Sequence, residues 1–240
     1  MKLSRIILIA LVIYLVLSLF NGCNYLNDQY YLSNLDSEDT TVVLNAIDYF
    51  GNLNNDEYLN EISDAYKIQS NIKIKNELLE LSVRLAAYNI KERKNNIILY
   101  DRKEYINPIL LPLIDDAINS KDRLLNFTAI HKIGSLNLNQ YEETLFPFLN
   151  NNDFTIRATT AETLGKIGSD KSISYLIQTV DSDSVYFVVH QAINSLGNIG
   201  NSETAEYLKN KTSFLGDSHK REIDLAIEKI NNRMAKYQGV

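Results

Sequence analysis

The chain has no tryptophan, one cysteine, two methionines and three histidines. A single cysteine excludes an internal disulfide framework and any zinc site built on two or four thiolates. A basic excess is also missing: 24 Lys and Arg stand against 30 Asp and Glu, for a net charge of -6. Nucleic-acid binders carry a basic footprint, so no nucleic-acid partner is expected. What remains is 240 residues, 45% of them hydrophobic. That is enough for one domain of about 200 residues or a short repeat array.

The first twenty-two residues read as an address. Lys2 and Arg5 precede Ile6 to Phe20, fifteen residues interrupted only by the mildly polar Tyr14 and Ser18. As a helix this run would cover about 22 Å, short of the ~30 Å hydrocarbon core of a bilayer. The length suits the apolar region of a signal peptide over 1–22. Cys23, the only cysteine, follows Gly22 directly after it. Small residue then cysteine after an apolar run resembles the lipobox of bacterial lipoproteins. The resemblance implies cleavage before Cys23, a covalent lipid on its sulfur, and anchoring to a membrane of the bacterial cell envelope, on the periplasmic or surface side. Stable attachment takes more than one acyl chain. The other reading keeps the segment as an uncleaved anchor. Residues 23–37, polar and rich in Asn, Asp and Tyr, read as a tether.

From residue 38 to 238 the chain repeats itself. Ile156 to Gly168 is matched 32 residues on by Val188 to Gly200, and 31 residues upstream by Leu125 to Gly134. Val42 to Gly51 has the same form. The template is apolar at 0, small or apolar at +4 and +5, large and apolar at +8, and glycine at +9. Four of the nine glycines hold the +9 place (Gly51, Gly134, Gly165, Gly197), and Gly168 and Gly200 lie three residues further on. Positions 0, +4, +5 and +8 share one helical stripe. Glycine at +9 admits a neighbouring backbone, while Gly168 and Gly200 suit left-handed residues that close a helix. Second helices are expected over 141–150, 170–180 and 202–212, with Asp153, Asp170, Ser184 and Ser202 as N-caps. Further helices fit 56–69, 72–90 and 107–119, where Pro108 would start the helix and Pro112 kink it. Residues 91–103 break the pattern as an insert, and 219–236 read as a closing helix.

The run Asp153-Phe154-Thr155-Ile156-Arg157, followed by Ala161, Leu164 and Gly165, resembles the HEAT-like repeat, as do Pro112 and Pro147 in the first helices. The resemblance is good over 121–215. It implies an all-α fold: an α-solenoid of about five HEAT-like antiparallel helix pairs plus a C-terminal closing helix, the second helix of each pair lining a concave face. Val189 stands where the family prefers arginine, which breaks its polar ladder at the third copy.

No catalytic motif is present: no H-E-x-x-H, no G-x-S-x-G, no phosphate-binding glycine loop. His-Glu pairs, the metal ligands of one HEAT-type iron hydroxylase family, are absent too. His131, His190 and His219 are followed by Lys132, Gln191 and Lys220. No enzyme activity, metal or cofactor is therefore expected beyond the lipid on Cys23. The positions +2, +3, +6 and +10 point away from the core and supply the candidate binding face: Asn45, Asp48, Phe127, His131, Thr159, Glu162, Lys166, His190, Gln191 and Asn194. A polar groove with occasional apolar members suits a protein or peptide partner, which makes the chain a non-catalytic interaction module or scaffold. A helical-repeat enzyme of lyase type and a surface adhesin-type lipoprotein are the other readings.

Overall fold

The computed structural model describes residues 26–53, 57–95, 107–215 and 217–238, with the backbone alone for 87–95, 213–215, 217–218 and 237–238. The signal segment, Cys23 and residues 96–103 of the insert lie outside them. Among the described residues every regular element is helical, and the fold is all-α, of the α-solenoid type. Where the repeat pattern runs on as one domain over 38–238, the chain divides into two compact units, and the division falls at the start of the fifth helix.

The first unit holds α1 (26–32), α2 (Thr40–Leu53), α3 (Leu59–Ile68) and α4 (Ile72–Asn95). Helices α2 and α3 both pack on α4. Apolar residues at helical spacing do the work: Val43, Ile47 and Phe50 on α2, Ile62 and Tyr66 on α3, and Ile74, Leu78 and Leu85 on α4 are all buried. Full burial of such side chains is worth about 1.5–3 kcal/mol each. Two expectations fail here. Residues 91–95 are not an insert but the last turn of α4. Residues 26–37 are not a tether, because 26–32 are helical and Leu35 is buried. The cause is Asp28, whose carboxylate accepts hydrogen bonds from the Tyr49 hydroxyl at 2.5 Å and the Tyr58 hydroxyl at 2.6 Å. Tyr31 stacks on Tyr49 with ring centres 4.0 Å apart.

The second unit holds α5 (Leu110–Ile118), α6 (Arg123–Ser135), α7 (Glu142–Leu145), α8 (Phe154–Ile167), α9 (Asp170–Ser182), α10 (Tyr186–Ile199), α11 (Ser202–Leu215) and α12 (Asp217–Gln238). The helix expected over 141–150 is broken into a 3-10 turn Asn139–Tyr141, the short α7, and a 3-10 stretch Phe146–Asn150 that carries Pro147 near its start. Pro112 falls in the first turn of α5, where its missing N–H has no intrahelical partner to lose.

The template helices α6, α8, α10 and α12 stack side by side as one layer. Small residues set their spacing. A Cβ on Gly134 would come within 3.2 Å of Thr163 Cγ2, one on Gly165 within 2.8 Å of Ser195 Cα, and one on Gly197 within 2.8 Å of Ala226 Cα. In the second unit the glycine at +9 of each copy thus receives the +7 residue of the next. Ala226 therefore stands at +7 of a further copy that begins at His219. The closing helix α12 is the template member of a pair with α11, and its +9 residue is the exposed Glu228. The glycine column stops where the stack stops.

The helix ends follow from short polar side chains. Asp153 caps α8 as expected, its Oδ1 accepting from the Thr155 N–H at 2.7 Å. Two of the other caps lie one residue upstream of expectation, and the third, at α10, falls one residue downstream on Val185, which makes no side-chain cap bond. Ser169 serves α9, Asp183 accepts from the Val185 N–H at the start of α10, and Asn201 forms a reciprocal capping pair with Thr204 at the start of α11. Gly168 and Gly200 are not left-handed: their φ values are -72° and -65°. Glycine is required there by space, because a Cβ would meet Ser172 Cβ at 2.7 Å or Thr204 Cγ2 at 2.7 Å. The left-handed turn belongs to Asn137 (φ 52°), just after α6, where the Leu138 N–H reaches back to the Ile133 carbonyl at 3.0 Å.

Candidate functional site

At about 100° per residue, +2, +6 and +10 fall at about 200°, 240° and 280° round a helix and +3 at about 300°, so +3 is the one nearest +7 at about 340°. Position +7 faces the neighbouring copy, as the glycine contacts show. The +3 residues should therefore be covered in the interior of the stack. Thr159 is indeed buried, and so is Thr128 one copy earlier. The candidate role of Thr159 on the binding face is thereby corrected. Gln191, at +3 of the third copy, stays half-buried.

The other candidates of the second unit lie on the open side of the template layer. Phe127 and His131 are exposed and stack along α6 with parallel rings 6.4 Å apart. Glu162 accepts from Lys166 Nζ at 2.7 Å one turn on along α8. On α10 the His190 ring lies parallel to Tyr186 at 6.0 Å, and its Nε2 is 3.1 Å from Asn194 Nδ2. Two contacts carry the face across to α12. His190 Nε2 is 3.9 Å from Glu222 Oε1, and Lys229 Nζ donates to Asn198 Oδ1 at 3.3 Å. Four helices thus present one strip in which aromatic, acidic, basic and amide groups alternate.

Asn45 and Asp48 are exposed on α2 in the first unit. They line a hollow of about 310 Å³ together with Tyr30, Tyr31 and Asn34. The strip described above comprises residues of the second unit only.

Tyr186, Glu222 and Lys229 of that strip escaped the sequence pattern. Tyr186 lies two residues before its copy begins. Glu222 lies on α12, whose copy opens on the buried His219 where the others have Leu125, Ile156 and Val188. Aligning 219 with 188 at the common 31-residue spacing would have found Glu222.

The second layer offers a different surface. A hollow of about 330 Å³ is lined by Asn150, Arg157, Tyr175, Gln178 and Ser182. Arg157 is committed there, its guanidinium bound bidentately to Asp183. Burial works upward on the Asp183 carboxyl, but the hydrogen bonds from Arg157 and the Val185 N–H outweigh it and hold the group below the usual carboxylate range. Glu142 is held down in the same way by Ser169 and Ser172, against the upward pull of burial. These are structural brackets between consecutive copies. Among the described residues no group of three or more His, Cys, Asp or Glu is placed to hold a metal ion, and no helix is long and apolar enough to cross a membrane.

A family model for HEAT repeats matches residues 110–197, which supports the repeat reading over α5 to α10. No curated protein matches the chain. Among solved structures, an engineered protein from the Northeast Structural Genomics Consortium is similar, with a TM-score of 0.51 and 15% identity, covering 86% of this chain and 97% of that one. A second engineered protein from the same consortium gives a TM-score of 0.43 at 14% identity, covering 85% of this chain and 68% of that one. At such identity the first likeness speaks for the fold alone.

Proposed function

We propose that the chain is a non-catalytic interaction module of the bacterial cell envelope, held to a membrane by lipid on Cys23 and binding a protein or peptide along the open face of α6, α8, α10 and α12. The observation that carries the binding reading is the strip itself: Phe127, His131, Glu162, Lys166, His190 and Asn194 stand on successive stacked helices with mixed chemistry. Stacked repeats offer many small contacts in series rather than one deep site. The reading of the anchor rests on the apolar run Ile6 to Phe20 and the lone cysteine after Gly22.

The binding test is a pull-down from detergent-solubilised envelopes with mass spectrometry of the partners. A combined His131→Ala, Glu162→Ala and Asn194→Ala variant should lose the partner and keep its helical content. Normal binding by that variant, with loss in a Tyr175→Ala, Gln178→Ala variant, would move the working surface to the second layer. The anchor is tested by intact mass, which should show a chain beginning at Cys23 with acyl groups added. A mature chain that retains residues 1–22 without acyl groups would remove the lipid from the proposal.

A further inference from the structure

Helix α1 begins within a few residues of the candidate anchor and is fastened to the first unit. Cys23 is three residues before Leu26, a stretch that reaches about 10 Å at most. Even measured from Phe20, the last residue of the apolar run, six residues reach only about 20 Å. A flexible tether would let the folded unit move away from the bilayer. Here there is none from residue 26 on, because Asp28 is bound by Tyr49 and Tyr58 and Tyr31 is stacked on Tyr49.

The outward side of α1 has a distinct composition. Leu26 and Tyr30, one turn apart and so on one side of the helix, are 68% and 61% exposed, among the most exposed large hydrophobic side chains described. Their exposed neighbours are uncharged: Asn27, Gln29 and Ser33. The one charge on the helix, Asp28, is turned inward and buried. A leucine and a tyrosine without a charge beside them suit the boundary between headgroups and acyl chains, where tyrosine presents a ring to the apolar side and a hydroxyl to water. Just beyond, Asp36, Glu38 and Asp39 add negative charge, which disfavours an anionic surface.

We infer that α1 lies against a zwitterionic phospholipid surface, with Leu26 and Tyr30 seated in the interface, so that the anchor fixes the orientation of the first unit instead of merely retaining it. The inference rests on the proposal that the N-terminal segment or its lipid is embedded in a membrane. It holds whether the segment is cleaved at Cys23 or kept.

The absence of tryptophan makes a direct test available. The full chain is purified from envelopes as a Tyr30→Trp variant and, separately, as a Leu26→Trp variant. Each is reconstituted into phosphatidylcholine vesicles with brominated or ordinary acyl chains and recovered by flotation. The expected result is blue-shifted emission that is largely lost in brominated vesicles. A variant that floats with the vesicles but keeps full emission in both lipids, with the red-shifted maximum of an indole in water, overturns the seating of α1 and leaves the anchor standing. A chain that does not float overturns the anchor and the seated helix together.

Discussion

Arg157 reaches from α8 to Asp183 at the start of α10, its Nε 2.5 Å from Oδ2 and its Nη2 3.1 Å from Oδ1. The same carboxylate accepts from the Val185 N–H, and the remaining guanidinium donor serves the carbonyls of Asn151 and Asn152. One pair therefore fixes the turn that leads into α10 and ties two copies together. Both side chains are mostly buried, at 16% and 7% exposure.

Removing one partner of such a pair leaves a charge buried alone. Arg157→Met should cost about 3–5 kcal/mol in urea unfolding. The pH dependence has a definite sign. The folded Asp183 carboxyl lies below its unfolded value, so the stability it adds is fully present above the unfolded value of about 4. That contribution is lost as pH falls through the lower folded value. The stability gap between the natural chain and Asp183→Asn should therefore be constant from pH 7 to about 5 and close under more acid conditions. A gap that stays open at low pH would mean that the carboxylate charge is not what the bracket uses.

The glycines divide into two kinds. Alanine is favoured over glycine in a helix interior by about 1 kcal/mol, so each Gly→Ala change starts with a gain. At Gly165 the new Cβ would lie 2.6 Å from Ser195 Cβ and 2.8 Å from its backbone Cα. Backbone cannot swing aside, and overpacking of about 1–3 kcal/mol should win. At Gly51 the obstacle is only the guanidinium end of Arg84, which is exposed and can move. Thermal unfolding should show Gly165→Ala destabilised and Gly51→Ala neutral or slightly stabilised. Equal effects at the two sites would refute the distinction.

Asn137 is the one described non-glycine residue with positive φ. Left-handed backbone costs an ordinary L-residue roughly 1–2 kcal/mol, and asparagine is among the few that tolerate it. Asn137→Ala should lower stability by about 1 kcal/mol, while Asn137→Gly should leave it unchanged or raise it. Both variants are exposed, so packing does not confuse the comparison.

The apolar stripe and the +9 glycines were legible because a 3.6-residue period repeated every 31–32 residues leaves the same residue types in register. The partner of each glycine was not, since Thr163, Ser195 and Ala226 share only their smallness. Without that +7 column, +3 reads as an outward position, although Thr159 is buried. The closing helix hid its kinship for a similar reason: His219 and Glu228 stand where the pattern asks for an aliphatic residue and a glycine. Residues 26–37 look like a tether by composition because what orders them is remote. Asp28 is 21 residues from Tyr49 and 30 from Tyr58, and no local periodicity encodes that meeting. Of the candidate strip, the pattern supplied Phe127, His131, Glu162, Lys166, His190 and Asn194. The link from His190 to Glu222 needed the packing of α10 on α12.

A second bracket joins helices of the outer layer and should act at the opposite end of the pH scale. Tyr207 on α11 donates to Asp181 Oδ1 at 2.7 Å and lies 3.4 Å from the Ile177 carbonyl of α9. Tyr141 repeats the arrangement 66 residues earlier, on Asp115 at 2.6 Å and the Leu111 carbonyl. Burial first, and then the hydrogen bond to Asp181, push the Tyr207 phenol well above its ordinary value. Stability from a raised group is fully present below the unfolded value of about 10 and is lost as pH rises through the folded one. Asp181 keeps Lys211 at 2.6 Å when the tyrosine is removed, so no charge is stranded. Tyr207→Phe should then cost only about 1 kcal/mol at neutral pH. In urea titrations that difference should persist to about pH 10 and shrink above it. If the two chains instead diverge further as the solution becomes alkaline, the phenol is not a net donor to Asp181 in the folded state.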